Sequence, residues 1–100
     1  MKYNKLIRDN IPEIIKAKGG VAITHIASEE EYRQKLLEKL HEEVQEFEES
    51  ENQEEMADIL EVIEAICEYK GFSSGEISRI KEEKAEKRGR FRKRIILEES

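Results

Sequence analysis

The chain has 100 residues, 42% of them charged and 6% aromatic, with no Trp and a formal net charge of −6. That length suggests one domain, residues 1–100, with a modest core, and the composition suits long helices with solvated faces better than a β-sandwich. The negative total disfavours a nucleic-acid polymer as partner, the lack of a long apolar run argues against a membrane span, and a single cysteine, Cys67, rules out an intrachain disulfide and fits a cytoplasmic setting.

The charge is polarised along the chain. Residues 29–69 carry sixteen acidic and three basic side chains, whereas residues 70–100 carry six acidic and ten basic ones. Residues 1–28 are also basic on balance. A small polyanion, held through metal on the acidic side and by Lys or Arg on the other, is compatible with this pattern.

In chain order, Pro12 suits the first turn of a short helix, with Asp9 or Asn10 near its cap, Ile11, Ile14 and Ile15 as its apolar face, and Gly19-Gly20 as its stop. Lys5 and Arg8 precede it, either as phosphate contacts or as ordinary surface charges. Residues 21–27 are β-branched and partly alternating, which predicts a short strand containing His25.

Ser28 and Glu31 form a capping-box pattern at the start of a long helix. Leu36, Leu40, Val44 and Phe47 recur on one face of it. Glu43 lies about 60° from Leu40, at the edge of that face, and Glu46 about 120° away. Ser50-Glu51-Asn52 reads as a turn. Asn52 caps the next helix, with Glu55 three residues on. Met56, Ile59, Leu60, Ile63, Ile66 and Cys67 form a broad apolar face, and Gly71 ends the helix. Glu55 projects about 40° from Ile59, inside that face, as either a capping partner or a site residue.

Ser73 and Glu76 start a third long helix, which runs to about Arg88 before Gly89. Lys84, Lys87 and Arg88 share one face, available for phosphate or for the helix dipole. Residues 91–97 read as a second short strand. The expected fold is therefore mainly α, a helical bundle with one or two short terminal strands.

The two helices flanking Glu51 carry the chemistry. If they fold back antiparallel, Glu43 comes opposite Asp58 and Glu46 opposite Glu55. Four carboxylates in one small volume repel when ionised, so they need a counter-charge or must hold protons. A hard divalent cation with oxygen ligands, Mg²⁺ or Mn²⁺, is the usual answer.

Glu42, Glu43 and Glu46 (E-E-x-x-E), followed by Glu55 and Asp58 (E-x-x-D), resemble the signature of the all-α nucleoside triphosphate pyrophosphohydrolase superfamily, which includes the MazG proteins. Residues 3–12, YNKLIRDNIP, and the closing Lys84, Lys87-Arg88-Gly89-Arg90-Phe91 and Ile95-Ile96-Leu97 resemble its predicted house-cleaning branch. The interval between the two carboxylate motifs, residues 47–54, is shorter than is usual in MazG members.

The resemblance implies the fold of that superfamily and the conversion of NTP and water to NMP and pyrophosphate. It implies Mg²⁺ (or Mn²⁺) at Glu43, Glu46, Glu55 and Asp58, with Glu42 and Glu43 catalytic, Glu42 as base or additional ligand. It assigns Lys39, Lys84 and Arg88, together with Lys5 and Arg8, to the substrate phosphates, and it implies a homodimer or homotetramer. A sibling activity, phosphoribosyl-ATP pyrophosphohydrolysis, uses the same chemistry. A non-catalytic helical oligomerisation or nucleotide-binding module is the alternative from another class.

Overall fold

The computed structural model describes residues 4–100, so Tyr3, the first residue of the resembling decapeptide, lies outside the described residues. The protein is mainly α. Among the described residues there are four helices: α1 (Ile11–Ala17), α2 (Glu29–Ser50), α3 (Gln53–Lys70) and α4 (Ser74–Arg88).

The three longer helices begin on side-chain caps. Ser28 Oγ accepts from the Glu31 N–H at 3.2 Å, Asn52 Oδ1 from the Glu55 N–H at 2.9 Å, and Ser73 Oγ from the Glu76 N–H at 3.0 Å. Each bond satisfies a backbone donor that the helix itself leaves unpaired. α1 has no side-chain bond from Asn10 and starts instead with Pro12 in its first turn.

α2 and α3 end on left-handed residues. Gly71 takes φ 74° after α3, where the lack of a Cβ removes the steric cost. Glu51 takes φ 50° after α2 despite carrying a side chain. That conformation costs a non-glycine residue about 1–2 kcal/mol. Residues 51 and 52 alone separate the helices, so Glu51 must reverse the chain before Asn52 can cap α3.

α2 and α3 form an antiparallel hairpin, the one extensively packed pair of elements among the described residues. Near its open end, Tyr32 and Tyr69 meet edge to face, with ring centroids 5.5 Å apart and planes at 83°. This is the register anticipated from pairing Glu43 with Asp58.

Leu36 (2% exposed) and Val62 (9%) are the buried apolar residues among those described. Val62 corrects the apolar face assigned to α3. Its inward stripe runs through Glu55, Asp58, Ile59, Val62, Ile66 and Tyr69, so Ile59, Ile66 and the half-buried Cys67 stand as expected, while Met56, Leu60 and Ile63 remain exposed beside it. A face broad enough to cover two directions has only one filled here.

Neither predicted strand forms, and no strand occurs among the described residues. Val21, Ile23 and Ile26 in residues 21–27 are exposed, with no neighbouring strand to complete a ladder. A lone extended run gains nothing by ordering its backbone. Residues 91–93 form a bend and turn, and Arg94 takes φ 58°, which breaks the second run.

The radius of gyration is 17.8 Å, against about 13 Å for a compact chain of this length. α4 extends from the hairpin with little packing against it.

Candidate metal centre

Helical spacing and the hairpin register build the site together. Positions 42, 43 and 46 lie within one turn of α2. Positions 55 and 58 lie one turn apart on α3. Folding back at Glu51 joins them into two close groups that share Glu43: Glu42, Glu43 and Glu46, and Glu43, Glu55 and Asp58. In each group one carboxylate oxygen from each residue lies within 4.8 Å of the others. Glu46 therefore clusters with its own helix, while Glu55 and Asp58 approach through Glu43.

Glu43 is the buried centre, with its side chain 7% exposed and Lys39 Nζ 3.3 Å from its Oε1. Its Oε2 is buried without a hydrogen-bond partner, as is Oε2 of Glu55. An unsatisfied buried acceptor costs about 1–3 kcal/mol, and more if charged. The Glu55 backbone N–H takes the Asn52 cap, but no bond returns from the Glu55 carboxylate to the Asn52 backbone. Capping thus accounts for the position of Glu55 and leaves its carboxylate unexplained.

The two adjacent glutamates are tuned in opposite directions. Burial pushes the Glu43 carboxyl above its ordinary range. Lys39 counters this in part, and the neighbouring Glu46 reinforces it. The hydrogen bond from Lys5 holds Glu42 below the ordinary range, with Lys39 adding to the effect against a desolvation cost. Lys5 is raised in turn, first by that same bond.

The structure distributes the predicted cations unevenly. Lys5 Nζ lies 2.9 Å from Glu42 Oε1, and Lys39 Nζ 3.4 Å from Glu42 Oε2. Arg8 Nη2 lies 2.7 Å from Asp58 Oδ1, with Nη1 3.9 Å from Glu61. Lys84 and Arg88 stand on α4, and no ion pair among the described residues links either to these carboxylates. Glu61 was missed in the sequence, although its place one turn beyond Asp58 was a signal for it. His25 lies outside the cluster, with its Nε2 2.9 Å from Glu31 Oε1.

All-oxygen donors, every one of them a carboxylate, suit Mg²⁺ or Mn²⁺ and not a zinc site, which favours His and Cys ligands. The two buried, unpartnered oxygens are the observation on which that fit rests.

Fold and site together define a class: an all-helical protein whose central hairpin gathers an acidic cluster towards its turn. Compared with models of known families, with curated proteins and with solved structures, the chain matches none. No helix among the described residues is long and apolar enough to cross a membrane.

Proposed function

We propose that the protein is a metal-dependent nucleoside triphosphate pyrophosphohydrolase, acting on non-canonical nucleotides. The observation that carries this reading is the pair of orphaned buried oxygens, Glu43 Oε2 and Glu55 Oε2, inside a cluster of carboxylates from two helices. Ion pairing to protein cations leaves these atoms unsatisfied. A divalent cation would satisfy them.

Glu43, Glu55 and Asp58, with Glu46 beside them, would hold the ion. Bound there, Mg²⁺ supplies charge neutralisation for the triphosphate and a more acidic water. Glu42 would orient a water towards the α-phosphorus and accept its proton as the water oxygen bonds to that phosphorus. The bond from α-phosphorus to the bridging oxygen then breaks, and pyrophosphate leaves with the bridging oxygen. Lys39, Lys5 and Arg8, which stand beside these carboxylates, would counter charge on the phosphates. Lys84 and Arg88 would join the site from a second copy. The exposed Met56, Leu60 and Ile63 offer that copy an apolar face. A homodimer or homotetramer is accordingly part of the reading.

The salt bridges of Lys5 with Glu42 and of Arg8 with Asp58 favour a second reading, a non-catalytic helical module whose acidic residues serve as structural ion-pair partners. One experiment separates the two. Pyrophosphate release is measured over canonical, modified and phosphoribosylated nucleotides, with Mg²⁺, Mn²⁺ or EDTA, for the wild type and Asp58→Asn. Catalysis predicts metal-dependent release that falls by at least about a hundredfold in the variant, since even outer-shell changes at metal sites cost 10–100-fold. A structural module predicts no release on any substrate, and an Asp58→Asn chain that is less stable. Release from phosphoribosyl-ATP alone would redirect the substrate assignment to that nucleotide.

A further inference from the structure

The segment before α1 crosses the acidic cluster and touches both helices of the hairpin. Lys5 Nζ is 2.9 Å from Glu42 on α2, and Arg8 Nη2 is 2.7 Å from Asp58 on α3. Three residues of extended chain span about 10 Å, which matches the usual 8–10 Å between packed helix axes. Between the two cations, Leu6 and Ile7 are half-buried. The cations themselves are more open, with side chains 42% and 57% exposed.

The two carboxylates held in this way belong one to each of the close oxygen groups that share Glu43. The buried oxygens of Glu43 and Glu55 stay unpartnered beneath them. The segment thus neutralises the rim of the cluster and leaves its interior unsatisfied. Exposed pairs of this kind are weak and screened by salt, so they yield readily to a stronger counter-charge.

We propose that residues 5–8 form an exchangeable strap, in which Lys5 and Arg8 act as counter-ions for Glu42 and Asp58 and pass to the phosphate oxygens when the carboxylates take up a divalent cation. The proposal rests on the metal-site reading above and adds a coupling to it. Without nucleotide, the strap competes with the cation for the carboxylates. With a triphosphate present, Lys5 and Arg8 gain a new partner, so cation and triphosphate each strengthen binding of the other. Leu6 and Ile7 keep the strap in place throughout, so the exchange is a turn of two side chains and not a release of the segment.

The test is calorimetric titration of Mg²⁺ alone into the full chain, as wild type, Lys5→Gln/Arg8→Gln and Asp58→Asn, with the Arg8 guanidinium resonance of the wild type followed by NMR. The double variant is expected to bind Mg²⁺ about two- to tenfold more tightly than the wild type, the range set by losing two weak exposed pairs. Mg²⁺ is expected to move the Arg8 resonance towards that of free arginine. Binding that depends on Asp58 but is unchanged or weaker in the double variant, or an Arg8 resonance that Mg²⁺ does not move, would overturn the strap and leave the metal site standing. Mg²⁺ binding that is absent, or indifferent to Asp58→Asn, would overturn both.

Discussion

In the central hairpin, Lys5 and Arg8 reach carboxylates 37 and 50 residues away along the chain. In α4, Arg79 bonds to Glu76 and Glu83, each within one helical turn. Both regions are rich in charge, and their side chains do different things. The hairpin gathers acids from two helices around a buried Glu43, 5% exposed, and leaves two oxygens without partners. The C-terminal arm spreads its charges over water and settles them locally. What separates the regions is burial. Charge in water is screened by solvent and counter-ions. Charge held between two helices must find a partner of its own.

Mutations can break or sharpen this contrast. The largest effect on stability should come from Leu36→Ala, which removes a 2% exposed side chain from the seam of the hairpin. It should cost about 2–5 kcal/mol in chemical denaturation. Phe91→Ser, at a side chain 99% exposed, should change stability by less than about 0.5 kcal/mol. A comparable cost at Phe91 would mean that the arm is covered in the assembled protein, and the contrast would fail.

Next is the cap at the turn. Asn52→Ala should cost about 1 kcal/mol by freeing the Glu55 N–H, and should loosen the approach of Glu55 to Glu43. Ser73→Ala removes an equivalent cap from α4. It should lower helicity by circular dichroism while leaving Mg²⁺ affinity unchanged. Equal losses of Mg²⁺ affinity in the two variants would show that the arm belongs to the site.

The two neighbouring glutamates should respond oppositely to pH. The raised pKa of Glu43 means that the folded state holds this proton more tightly than the unfolded chain does. Its effect is a loss of stability as pH rises from the ordinary carboxylate range through the raised value. The lowered pKa of Glu42 contributes stability that is present above the ordinary range and is lost as pH falls through the lowered value. In buffer without divalent cations, Glu43→Gln should raise stability at neutral pH, and Glu42→Gln should lower it. Denaturation curves from about pH 3 to about pH 8 would check both signs, since that interval brackets ordinary carboxylate titration.

The smallest effect belongs to Arg79→Ala, which removes pairs to Glu76 and Glu83 on an exposed helix face. Local helix pairs of this kind are worth about 0.3–0.5 kcal/mol, and 1 M salt should erase the difference. A salt-resistant loss would show that Arg79 is covered by a second copy.

Much of this arrangement was legible in the sequence, because it follows from local rules. Ser28, Asn52 and Ser73 announce helix starts, Gly71 and Gly89 announce ends, and Ser50-Glu51-Asn52 announces a reversal. Once two helices fold back on a link of two residues, the register leaves little freedom, and Glu43 must meet Asp58. The partner-dependent features were not legible. Residues 21–27 and 91–97 have strand-like composition, but a strand is defined by a neighbour, and the described residues supply none. The apolar face of α3 could turn two ways, and periodicity could not choose between Val62 and Met56 as the inward residue.

The site divides along the same line. Sequence alone determined which carboxylates share a helical face, because their spacing is fixed by 3.6 residues per turn. Only the tertiary structure decided that Glu43 is buried with an oxygen unpartnered, that Glu46 stays with its own helix, and that Lys5 and Arg8 stand over the cluster while Lys84 and Arg88 do not. Burial and cross-chain pairing depend on which surfaces come together in space, and no local rule of sequence encodes that.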